Sequence, residues 1–198
     1  MDKEEDKFYN FMKGLGAASQ LLYLSKNKGC FIECVCLSAT IIDASLRIGI
    51  ILKHQLDTKT NIILTDLLFQ SDEDKIVSER EVYKKALLAG VIKQDIYDKL
   101  ELLYKQRNKV VHRYIISEIT TEKIILIAQE YDEVINSIKK CLDDLEIRQI
   151  NEGIGMTKSG REVPNEIRMN KENIMNDMIR EKHGNDFLDE RLKSSNNK

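Results

Sequence analysis

Residues 30–56 restrict the fold more than any other stretch. They are apolar nearly all round a helical projection, from Val35 through Ile42 and Leu46 to Leu52. A helix without a polar face has to be enclosed, so this one is expected at the centre of a bundle. Its polar exceptions are informative. Thr40, Asp43 and Arg47 are three and four residues apart and share one stripe. Asp43 can pair with Arg47 one turn away, or reach Arg107 across the bundle, and the sequence leaves both open.

The same run tests for a membrane span and fails, because Asp43 and Arg47 interrupt it. The first six residues, Met1-Asp2-Lys3-Glu4-Glu5-Asp6, are charged rather than apolar, so no signal peptide is expected. Three of the four cysteines lie between positions 30 and 36, which reads as reduced thiols and a cytoplasmic protein, not a disulfide framework. The net charge of -2 gives no global basic field, so a nucleic-acid site would have to be a local patch.

The other helices follow from periodicity. Residues 2–26 carry Phe8, Phe11, Leu15, Ala18 and Leu22 on one face and stop at Asn27-Lys28-Gly29. Ser78-Glu79-Arg80-Glu81 has the form of a capping box opening a short helix to about 89. Residues 93–114 form the next helix, with Asp95 as a candidate cap. From Thr120 a long helix holds Ile124, Ile127, Tyr131, Val134, Ile138, Cys141 and Leu145 on one seam. Ser71-Asp72-Glu73-Asp74 reads as a surface loop. The fold class expected is all-α, an antiparallel four- to five-helix bundle over residues 1–150. Residues 151–198 form a C-terminal extension, partly flexible and partly helical around Ile174, Met175, Met178 and Ile179. It can fold back, swap onto a partner or dock something else.

Within 93–114 the helical slots fall on Ile96, Leu100, Leu103, Arg107, Val111 and Tyr114. An arginine on a seam needs a partner, a cavity or a ligand, because an unpaired buried charge is costly. His112 lies one turn beyond Asn108 on the neighbouring stripe. A guanidinium, an imidazole, an amide and a phenol gathered at one helix end suit a phosphodiester.

Arg107-Asn108, three further residues, His112, one residue and Tyr114 resemble the motif of the HEPN superfamily. The closest likeness is to the ribonuclease toxins paired with a minimal nucleotidyltransferase antitoxin. Leu88-Ala89-Gly90-Val91-Ile92 and Tyr97-Asp98-Lys99-Leu100 also resemble that family's approach to its motif, and the likeness covers residues 30–145. It implies a HEPN-like bundle, a homodimer with motifs facing across a cleft, and a metal-independent endoribonuclease in a toxin–antitoxin or phage-defence setting. His112 would exchange protons with the RNA 2′-hydroxyl and the leaving 5′-oxygen, since a free imidazole titrates near neutrality. Arg107 would stabilise the phosphate charge, with Asn108 orienting it. Tyr114 would line the site and accept AMP groups from an antitoxin, and Asp43 would support Arg107. Lys105, Lys109, Arg113 and Arg47 would contact the RNA backbone. No cofactor, metal or DNA is expected. The chain lacks the nucleotidyltransferase's Gly-Ser and paired-aspartate signature, so an antitoxin would be a separate protein, and the 48-residue extension has no family counterpart.

Other constellations are weaker. Cys30 and Cys34 share a helix face without a nearby histidine for zinc, Cys141 occupies a seam slot, and His54 and His183 sit at helix ends. The alternative from another class is a catalytically inactive HEPN bundle that binds RNA, a nucleotide or a partner protein. For the motif itself, the structural reading has Arg107 paired, His112 capping the helix and Tyr114 in the core.

Overall fold

The computed structural model describes residues 3–68, 76–159 and 165–184. These are all-helical with connecting turns. The six α-helices are α1 (Lys3–Lys28), α2 (Phe31–Thr58), α3 (Glu79–Leu88), α4 (Gln94–Arg113), α5 (Thr121–Glu152) and α6 (Asn165–Lys182), with a 3-10 turn at Thr65–Leu67. The acidic Ser71–Asp74 loop and the last residues of the extension lie outside the described residues.

The centre of the bundle is α2. Val35, Ile42, Leu46, Ile51 and Leu52 are fully enclosed. It is the one described helix long and apolar enough to cross a membrane, with mean hydropathy 1.9, yet 61% of that window is buried by the protein's own helices. Its main partner is α5, which supplies Ile127, Tyr131, Val134 and Ile138. Of the pairs adjacent in sequence, α3 and α4 run antiparallel, as do α4 and α5. By contrast α2 and α5 run the same way, with Gly49 opposite Leu142 and Leu52 opposite Gln149. Their axes approach closely because position 49 has no side chain. A Cβ there would lie 2.6 Å from a Val91 methyl and 3.0 Å from one of Leu142.

Two buried polar groups on α2 tie the irregular chain to this core. Arg47 donates from Nε to Asp43 at 2.7 Å, and from its two terminal nitrogens to the carbonyls of Leu67 and Val77 at 2.8 and 3.0 Å. Gln55 donates to the Ile62 carbonyl and accepts from Gln149 and from the Met156 amide. Gln149 also accepts from the amide and hydroxyl of Thr157. The turn after α5, expected to be flexible, is therefore held by two fully buried glutamines.

Capping follows the sequence in two places and departs in one. Ser78 and Thr120 accept the amides of Glu81 and Lys123 and open α3 and α5. α4 begins at Gln94 after Lys93, with no side-chain cap, so Asp95 lies inside the first turn. The extension folds back. α6 lies antiparallel on α1, with Met178 buried and Lys13 bonded to Glu181 at 3.0 Å. Ile179 packs into the notch at Gly16, where a Cβ would sit 2.8 Å from its Cγ1.

Replacing Arg47 with Met leaves the largely buried Asp43 without its partner and the Leu67 carbonyl without the Arg47 donor. We expect a loss of about 3 kcal/mol or more in urea unfolding; a change under about 1 kcal/mol would show that the clamp is dispensable. Gly16→Val should lift α6 from α1 at a cost of about 1–3 kcal/mol. Limited proteolysis between residues 153 and 184 should then accelerate while α2 stays protected from hydrogen exchange; unaltered cleavage would contradict the packing.

Candidate functional site

α4 lies across the bundle with Leu100, Leu103 and Val110 in the core. Its seam is Ile96, Leu100, Leu103, Arg107, Val110 and Tyr114, so the slot assigned to Val111 belongs to Val110. The reason is the helical period: steps of four and three must alternate to stay on one face, and a second step of four after Arg107 rotates off it. Val111 is solvent-exposed.

Arg107 does occupy the seam, and the fold provides for it. One Nη bonds the carboxylate of Glu79, at the first turn of α3, and the other lies 3.2 Å from the Asn108 side-chain oxygen. The guanidinium stacks on Tyr104 at 4.9 Å from the ring centroid. The hydroxyl of buried Tyr83 donates to the second oxygen of Glu79, so both carboxylate oxygens are engaged. Burial works against the charge of Arg107, but Glu79 outweighs it and the net shift is upward. Burial, reinforced by the neighbouring carboxylate, pushes the phenols of Tyr83 and Tyr131 far up. Arg80, next to Glu79, reaches Glu101 of α4 at 2.6 Å. Two consecutive residues of opposite sign thus hold α3 against α4.

Two assignments made from sequence are corrected. Asp43 supports Arg47 one turn away, not Arg107 across the bundle. Arg47 is buried with its donors committed to Asp43, Leu67 and Val77, so it offers no surface to an RNA backbone. Burial raises the Asp43 carboxyl above its usual range, with Arg47 opposing the shift.

The other motif residues divide by face. His112 is exposed in the last turn of α4, one turn past Asn108. Five positions separate it from Arg107, or roughly 140° around the helix, so the two side chains leave α4 on different sides within one subunit. Asn108 lies between them. Tyr114, partly exposed just after α4, shares a 3.0 Å hydrogen bond with the Thr121 hydroxyl. It borders a groove of about 560 Å³ with Phe31, Glu33, Cys36 and Ile124. Burial raises the Cys36 thiol, and Arg107 opposes that shift. Lys105, Lys109 and Arg113 are exposed. Among the described residues, no three His, Cys, Asp or Glu side chains gather into a metal-holding group.

Comparison with family models, with curated proteins and with solved structures gives no match for this chain. The HEPN likeness rests on the motif and its helical setting alone.

Sequence reasoning missed Glu79. A carboxylate in the first turn of a helix is already accounted for by the helix dipole, so nothing in the linear pattern tied it to Arg107. Glu79→Ala strips the partner from a half-buried guanidinium and from the Tyr83 hydroxyl. We expect a loss of about 2 kcal/mol or more in chemical denaturation, relieved in part by Arg107→Met in the same chain; strict additivity of the two changes would show the pair to be uncoupled.

Proposed function

We propose that this chain is an all-α endoribonuclease of the HEPN type, acting as a homodimer without a metal ion. The observation that carries the reading is the end of α4. An exposed imidazole, His112, stands one turn from Asn108, which is bonded to an arginine held in place by a carboxylate and a ring. His112 takes the proton of an RNA 2′-hydroxyl, whose oxygen attacks the adjacent phosphorus. The P–O5′ bond breaks, the 5′-oxygen takes up a proton, and a 2′,3′-cyclic phosphate remains. Arg107 and Asn108 face the charge that builds on the non-bridging oxygens.

The angle between Arg107 and His112 makes the second subunit part of the reading. Two α4 ends placed face to face would set His112 of each copy toward the arginine side of the other. Ile115 and Ile116, 94% and 80% exposed beside Tyr114, offer apolar surface for that pairing. An RNA substrate places the protein in the cytoplasm, and a separate nucleotidyltransferase acting on Tyr114 would be its antitoxin in a toxin or phage-defence pair.

One observation favours the second reading, a catalytically inactive bundle that binds RNA, a nucleotide or a protein: Arg107 already has Glu79, Asn108 and Tyr104 as partners within one subunit. RNA cleavage in EDTA separates the two. The enzyme cuts RNA to cyclic-phosphate ends, His112→Ala slows it by about 10²–10⁴-fold, and 2′-O-methylation stops it. Wild-type protein that leaves RNA intact at concentrations where it dimerises is the inactive bundle.

A further inference from the structure

The cleft between α4 and α5 lies on a face of α4 that carries neither Arg107 nor His112. Leu102, Gln106, Lys109 and Arg113 recur at steps of four, three and four and form one stripe. Together with the 117–119 segment and with Lys123 and Ile127 of α5, that stripe borders a cavity of about 530 Å³. Its size falls in the range of pockets for small organic ligands, roughly 300–1,000 Å³.

The lining is divided by chemistry. Leu102 and Ile119 give an apolar surface over the buried Ile127, and Lys109, Arg113 and Lys123 bring three positive charges against the single carboxylate of Glu118. None of the three cations forms an ion pair among the described residues. Gln106 also borders the cleft, and its side-chain oxygen is buried with no hydrogen-bond partner. In a chain of net charge -2, three cations against one carboxylate around an apolar hollow mark a place for an anion with an apolar body.

We propose that this cleft binds one nucleotide of a single-stranded RNA, its phosphate among Lys109, Arg113 and Lys123 and its base against Leu102 and Ile119. The proposal rests on RNA being the ligand of this end of α4, and it adds a base-accepting subsite beside the reacting group. Arg113 directly follows His112, so a strand lying across the last turn of α4 meets the imidazole on one side and the cleft on the other. The hollow is compact and concave, which suits one nucleotide unit better than the long face of an acidic helix. The hydroxyl of Ser117 supplies a group able to distinguish one base from another.

The test uses full-length protein and a fluorescent 2′-O-methylated hexanucleotide, which the proposed chemistry leaves intact, with anisotropy read in EDTA. Lys123→Glu should raise Kd by about tenfold or more, as expected when a charge-assisted phosphate contact is lost. Lys84→Glu on α3 makes the same charge change elsewhere and should shift Kd by less than about threefold. A carboxylate in the first turn of α5 is favoured by the helix dipole, so the Lys123 variant should fold, and Lys123→Gln gives the same comparison without added repulsion. Equal weakening by the Lys123 and Lys84 changes overturns the proposal, as does failure of wild type to bind the oligonucleotide. Binding of polyglutamate in its place also overturns it, in favour of an acidic protein partner. Cleavage is scored separately. Selective loss in Lys123→Glu with no cleavage by wild type keeps the cleft and removes the nuclease; cleavage with no selective loss does the reverse.

Discussion

A helix that is apolar on every side cannot rest on a surface, and α2 makes this the governing constraint of the fold. Four other helices enclose or abut it, and the polar groups it carries inward must find partners where the chain is irregular. Arg47 takes the carbonyls of Leu67 and Val77, and Gln55 and Gln149 take the turns at Ile62 and at 156–157. The connections are therefore fixed from within. Leaving any of these groups unpaired would cost about as much as a sizeable fraction of a domain's whole stability.

α4 repeats the logic on a smaller scale. Its seam carries Arg107 where a hydrophobic residue would pack, and α3 answers with Glu79, held in turn by Tyr83. This sorts α4 into three sides. One faces the core and presents an immobilised guanidinium, a second carries His112 into solvent, and the third turns Lys109 and Arg113 toward α5. A ligand that wraps the end of this helix can meet all three, while a ligand touching one face meets only one kind of chemistry.

The C-terminal segment belongs to the same body through different means. The buried glutamine pair holds the chain as it leaves α5, and α6 then lies on α1 through Met178, the Ile179–Gly16 notch and the Lys13–Glu181 bond. Among the described residues, α6 covers the side of the bundle formed by α1.

Much of this was legible in the linear pattern. The central position of α2, the long seam of α5, the caps at Ser78 and Thr120 and the helix around Met178 follow from periodicity and local chemistry, which depend only on neighbouring residues. Arg107 was visible as an anomaly on a seam. Its partner was not, because Glu79 is 28 positions away and already explained by its place at a helix start. Asp43 shows the same limit from the other side: two cations were within reach of its stripe, and only packing chose Arg47. The sequence by itself determined which helices form and which faces they bury, since those are set by spacing along one element. The tertiary structure alone decided which charges meet and which stay open to solvent, since that depends on the angle at which two helices cross.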